Sequence, residues 1–69
     1  MTQVLIGVRG LRAGADTERV LEALCALRGV GSAQSPEEGQ LEVRYQPKLL
    51  SAMDLIRSLR EQGYLAGML

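Results

Sequence analysis

Histidine, phenylalanine and tryptophan are absent from this chain of 69 residues, cysteine occurs once and proline twice. Each absence removes a class of function. Without histidine there is no imidazole to relay a proton near neutral pH or to ligate a metal ion. With Tyr45 and Tyr64 as the only aromatic side chains, there is no platform of rings on which nucleic-acid bases could stack. A lone cysteine, Cys25, cannot close a disulfide within the chain, so the fold requires no oxidising compartment. Neither sign of charge dominates: eight basic residues balance eight acidic ones. That balance does not suggest a nucleic-acid binder, which needs a cationic face. It also argues against association driven by long-range attraction. No apolar run approaches the roughly 20 residues of a spanning helix, so direct membrane insertion is excluded. The first ten residues, MTQVLIGVRG, place no basic segment ahead of their short apolar run, unlike a secretion signal. A single soluble domain covering residues 1–69, expected in the cytoplasm, remains.

What is present is aliphatic, at 46% hydrophobic residues, enough for one small core. VLIGV (4–8) alternates Val4, Ile6 and Val8 to one face, with Leu5 and Gly7 on the other, and predicts a strand. Residues 9–15 form a loop carrying Gly10 and Gly14. From Asp16 the period lengthens: Val20, Leu21, Leu24 and Leu27 recur at helical spacing, with Glu18, Arg19, Glu22 and Arg28 on the polar side. Asp16 suits the N-cap or the first turn, where a carboxylate accepts a backbone N–H and faces the positive helix end. Gly29 is expected to end this helix after Arg28. A second short strand, weakened by Gly31, runs from Val30 to Ser35, and SPEEG supplies a turn. QLEVRY alternates cleanly, Leu41, Val43 and Tyr45 inward and Gln40, Glu42 and Arg44 outward.

Ser51 and Asp54 form a capping-box variant that starts a second helix, with Ala52, Leu55, Ile56 and Leu59 as its apolar stripe. Gly63 stops that helix, and YLAGML supplies a last edge strand. The order βαββαβ in so short a chain predicts an α+β ferredoxin-like fold, with a four-stranded antiparallel sheet and both helices on one face.

VRGL after the first strand, VLEALCALRGVGSA, LEVRYQP and LIRSLREQGYLA together resemble heavy-metal-associated domains, the small modules of copper chaperones and metal-ATPase N-termini. The resemblance runs from Gln3 to Ala66 and is most specific in RGVGSA and EQGYLA. It implies metal transport or chaperoning, with Cu(I) or Zn²⁺ as cargo. It also implies a protein partner, either a metal-transporting ATPase or another domain of the same kind, approaching through the loop after the first strand.

The family motif Gly-Met-x-Cys-x-x-Cys falls on Gly10-Leu11-Arg12-Ala13-Gly14-Ala15-Asp16. Gly10 is kept and Leu11 replaces the methionine as apolar anchor. Both thiol positions are lost, to Ala13 and Asp16. Soft Cu(I) prefers soft thiolates. Ala13 offers no donor, and one hard carboxylate at Asp16 makes a weak site even for Mg²⁺ or Ca²⁺.

Cys25 lies nine residues beyond Asp16, roughly 14 Å along the same helix at about 1.5 Å per residue, too far to share a metal with the loop. The expected role is a buried apolar filler beside Leu24; an intermolecular thiol site is the alternative. Met1, Met53 and Met68 are expected to pack or lie exposed rather than converge as thioether ligands. Tyr64 matches a tyrosine that often lies beside the metal loop in bacterial relatives, and is expected at the edge of the core.

With no histidine, no thiol in the loop and no carboxylate pair converging on a nucleophile, an enzyme is not expected. Nor is a cofactor, metal cargo apart. The sequence therefore reads as a heavy-metal-associated-type domain, degenerate at its metal loop, working as a docking or regulatory module. Its docking residues would be Gly10, Leu11, Arg12, Asp16, Arg19 and Tyr64, with Leu11 and Tyr64 as the apolar contacts. The alternative is genuine Cu or Zn handling through non-standard ligands or a dimeric Cys25 site.

Overall fold

The computed structural model describes residues 1–69. Its elements follow in the order β1 (Thr2–Arg9), α1 (Ala15–Cys25), β2 (Val30–Gln34), β3 (Gln40–Tyr45), α2 (Ala52–Glu61) and β4 (Leu65–Met68). The strands form one sheet in the order β2-β3-β1-β4, antiparallel throughout. This is the βαββαβ ferredoxin-like arrangement.

Strand alternation sets the core. Val4, Ile6 and Val8 of β1 and Leu41, Val43 and Tyr45 of β3 are buried, as is Ala66 of β4. They meet Val20 and Leu24 of α1 and Leu55, Ile56 and Leu59 of α2 in one cluster. Burying each such aliphatic side chain contributes about 1.5–3 kcal/mol, so this single layer carries the fold. The opposite face of the sheet is open and largely polar. There Arg44 Nε donates to Gln3 Oε1 (3.3 Å) and Gln34 Nε2 donates to Glu42 Oε1 (3.0 Å), across the β1–β3 and β3–β2 pairs.

The second helix is capped as its sequence dictates. Ser51 and Asp54 make a complete capping box, Asp54 N–H to Ser51 Oγ and Ser51 N–H to Asp54 Oδ2. Gly63, at φ +96°, follows the end of α2. The first helix departs from expectation at its C-terminal end. It ends at Cys25 rather than Arg28, because the chain tightens into successive short turns, Leu27 N–H to Leu24 C=O and Val30 N–H to Leu27 C=O. Leu27 still packs against the core from this turn. β2 is one residue shorter than expected, since Ser35 leaves the sheet with its hydroxyl 2.8 Å from the carbonyls of both Glu37 and Gln40. Gly31 marks a bulge, with the β2–β3 register shifting between Val30 and Ser32.

The candidate metal loop

The loop between β1 and α1 is shaped from below by three residues. Gly10 leaves the strand at φ +84°, a backbone region that side chains rarely enter. Leu11 then turns inward and is 3% exposed, tying the loop to the core. Thr17, the single buried polar residue, donates its hydroxyl to the Arg12 carbonyl. Thr17 stands at i, i+3, i+4 and i+7 with Val20, Leu21 and Leu24, so it leads the apolar stripe of α1. That spacing was the signal available in sequence, where Thr17 passed without a role. Its bond holds the loop against the helix it precedes. Thr17→Val is expected to lower stability by about 1 kcal/mol, a typical single hydrogen bond. Urea denaturation reads the loss, and amide exchange should quicken over residues 11–14.

Of the two places expected for Asp16, the structure takes the first turn rather than the N-cap. Gly14, at φ +97° and ψ −137°, is the N-cap of α1, and no side chain caps this end. Asp16 lies one residue inside the helix, too late to be the cap. It shares the first turn with Glu18, where both carboxylates face the positive helix end. Ala13 is exposed and Asp16 half-buried. Ala13 and Asp16 thus bracket the start of α1, one in the loop and one in the first turn. Arg12 and Arg19 are exposed. Continuing the β1–β4 register one step past Arg9↔Leu65 sets Tyr64 level with Gly10. Tyr64 packs half-buried against the core edge, as expected. Leu11, in contrast, is buried and cannot serve as a contact for a partner.

Cys25 also corrects the sequence reading: it is exposed, not a buried filler. It sits one turn below Leu21, itself only half-buried at the margin of the stripe, and it is the last helical residue. It lies at the opposite end of α1 from Asp16. The methionines do not converge. Met1 lies against Gly31 on β2, Met68 is on β4 at the other edge of the sheet, and Met53 is exposed in the first turn of α2. No three His, Cys, Asp or Glu side chains are grouped as a metal site would need. Beside the loop runs a cleft of about 450 Å³, with Gly14, Thr17 and Leu21 on one wall and Ala33, Pro36 and Glu38 on the other. No helix is long and apolar enough to cross a membrane.

No family model matches the chain, and no curated protein does. Solved structures do. A copper-binding domain from HMA7, a P-type ATPase, is 26% identical, with a TM-score of 0.92 over 100% of this chain and 95% of that one. The CopZ metallochaperone is 28% identical, with a TM-score of 0.87 over 96% of this chain and 100% of its own. Oxidised MerP from Ralstonia metallidurans CH34 shares the fold at 22% identity and a TM-score of 0.88, over 97% and 94% of the two chains. In element order and sheet topology, and over nearly its whole length, the chain is heavy-metal-associated-like, similar in fold to these copper-binding and metallochaperone domains.

Proposed function

We propose that this chain is a non-catalytic module of the metal transport and chaperone kind whose β1–α1 loop docks a protein partner instead of holding an ion. The observation that carries the reading is the pair of positions bracketing the start of α1. An exposed methyl, Ala13, and a single carboxylate, Asp16, stand where a thiol pair would grip Cu(I). The loop nevertheless keeps its anchorage through Leu11 and Thr17. A shape retained without its donors suits recognition. Arg12, Asp16 and Arg19 supply polar specificity, and the rim of Tyr64 supplies the apolar contact. The partner is a metal-transporting ATPase or another domain of the same type, met in the cytoplasm.

Native mass spectrometry after adding Cu(I) or Zn²⁺ under reducing conditions tests this. The parent chain is expected to retain neither metal at better than roughly micromolar affinity, because no thiolate pair is available. A metal held one-to-one would overturn the reading. A second reading stays open because Cys25 is exposed, so two copies can bring their thiols together. It requires one metal per two chains and loss of that species in Cys25→Ser.

A further inference from the structure

We infer that β4 is a self-pairing edge, through which two copies of this chain join their sheets antiparallel with the two-fold axis at Gly67. The inference is independent of what the metal loop does.

The two edges of the sheet are β2 and β4, and only one is guarded. β2 is interrupted by its bulge at Gly31, and the Met1 side chain lies across that glycine. From Gly63 to Leu69 the β4 segment has no charged side chain, no proline and no bulge. These are the devices that normally keep an edge strand from pairing with another chain.

The hydrogen-bond pattern fixes which backbone groups β4 leaves free. Leu69 N–H donates to the Leu5 carbonyl. Antiparallel pairs alternate between bonded and non-bonded, so Leu65, Gly67 and Leu69 turn their backbone groups toward β1. Val8 N–H donates to the Gly39 carbonyl, which shows independently that the even-numbered residues of β1 serve β3. Ala66 and Met68 therefore direct their N–H and C=O groups outward. Tyr64 adds no further donor, since its N–H is already given to the Leu59 carbonyl.

One register satisfies all of these groups. Pairing about Gly67 opposes Ala66 to Met68 of the second copy twice over, and every outward donor meets an outward acceptor. Centring on Ala66 opposes Met68 to Tyr64, whose N–H is already used, so that pair keeps at most one of its two bonds. The side chains agree with the same register. Leu69 lies over Gly7 on the open face of the sheet, and Leu65 and Leu69 are 65% and 67% exposed. Pairing about Gly67 sets each Leu65 beside Leu69 of the other copy in the non-bonded, closer type of pair. Gly67 meets Gly67 between them without obstruction.

This edge is far smaller than the roughly 20–30 residues a side of a standard interface. The dimer is accordingly weak, with dissociation in the millimolar range. Sedimentation equilibrium and dilution of ¹⁵N-labelled chain from millimolar concentration should reveal it, with shift changes confined to Leu65–Leu69. Met68→Pro removes an outward donor while leaving the bonds to β1 intact. It should raise the dissociation constant about tenfold or more. Leu65→Lys should weaken pairing similarly, and adding Leu69→Glu should restore it, because those positions face each other across the axis. A chain that stays monomeric at millimolar concentration overturns the inference. So does a folded Met68→Pro variant that pairs as well as the parent, or dilution shifts centred on the Gly10–Asp16 loop.

Discussion

Ala13→Cys combined with Asp16→Cys is expected to create a Cu(I) site in a loop that offers no thiol of its own. One position lies in the loop and the other in the first turn of α1, on either side of the Gly14 N-cap. The loop between them is held by the buried Leu11 and by the Thr17 hydroxyl, neither of which the substitutions touch. Both new thiols would lie at the positive end of the helix, which lowers their pKa and favours the thiolate that binds metal. Removing Asp16 also takes away a carboxylate whose charge would oppose that ionisation. Competition against a Cu(I) chelator should show one ion per chain and an affinity roughly a thousandfold or more above the parent. Either single variant, with one thiolate, should fall far short of the pair. If the double variant folds and still fails to bind, the loop has changed its shape as well as its donors, and the docking reading loses its foundation.

Gly29→Ala should be the most damaging single-methyl addition in the protein. Gly29 has φ +103°, and a Cβ there would lie 2.3 Å from Leu50 Cδ2 and 2.9 Å from Leu49 Cβ. The backbone conformation alone costs an L-residue about 1–2 kcal/mol, and overpacking adds about 1–3 kcal/mol. The leucines cannot simply retreat. Leu49 and Leu50 are held in a turn by their N–H bonds to the Gln46 carbonyl, and Gln46 N–H in turn bonds the Gly29 carbonyl. A combined loss of roughly 3 kcal/mol would lower the thermal midpoint by about 12–24 °C in a domain of this size. Gly63→Ala is the control. Its φ is nearly the same, +96°, but nothing lies within 4 Å of the added carbon. It should cost only about 1–2 kcal/mol. Equal losses in the two variants would show that the contact with Leu49 and Leu50 contributes nothing.

The same comparison shows what sequence could and could not disclose. β3 was legible to the residue because QLEVRY alternates without a break and both faces keep to it. The start of α2 was legible because Ser51 and Asp54 satisfy each other locally, without help from the rest of the chain. The end of α1 was not, since Leu27 keeps helical spacing while the backbone has already turned. A side chain can reach the core from a turn, and spacing alone does not distinguish the two. Cys25 misled for a related reason: it neighbours Leu24 in sequence but lies round the helix from it, at the margin of the buried stripe. In the loop, the absence of any thiol was plain from the sequence. The inward turn of Leu11 and the bond from Thr17 depend on where the core lies, so they came only with the structure.

The two helices are finished unequally. α2 has its reciprocal cap, Asp54 in its first turn and Arg60 in its last, whereas α1 begins on a bare glycine and has no basic residue in its last turn. A side-chain cap is worth about 1 kcal/mol, so the opening turn of α1 frays more readily than its counterpart. The opening turn of α1 is thus the less firmly finished of the two helix starts, although the loop before it stays tied by Leu11 and Thr17. Under the proposed docking role, that end of the helix is the part able to adjust on contact.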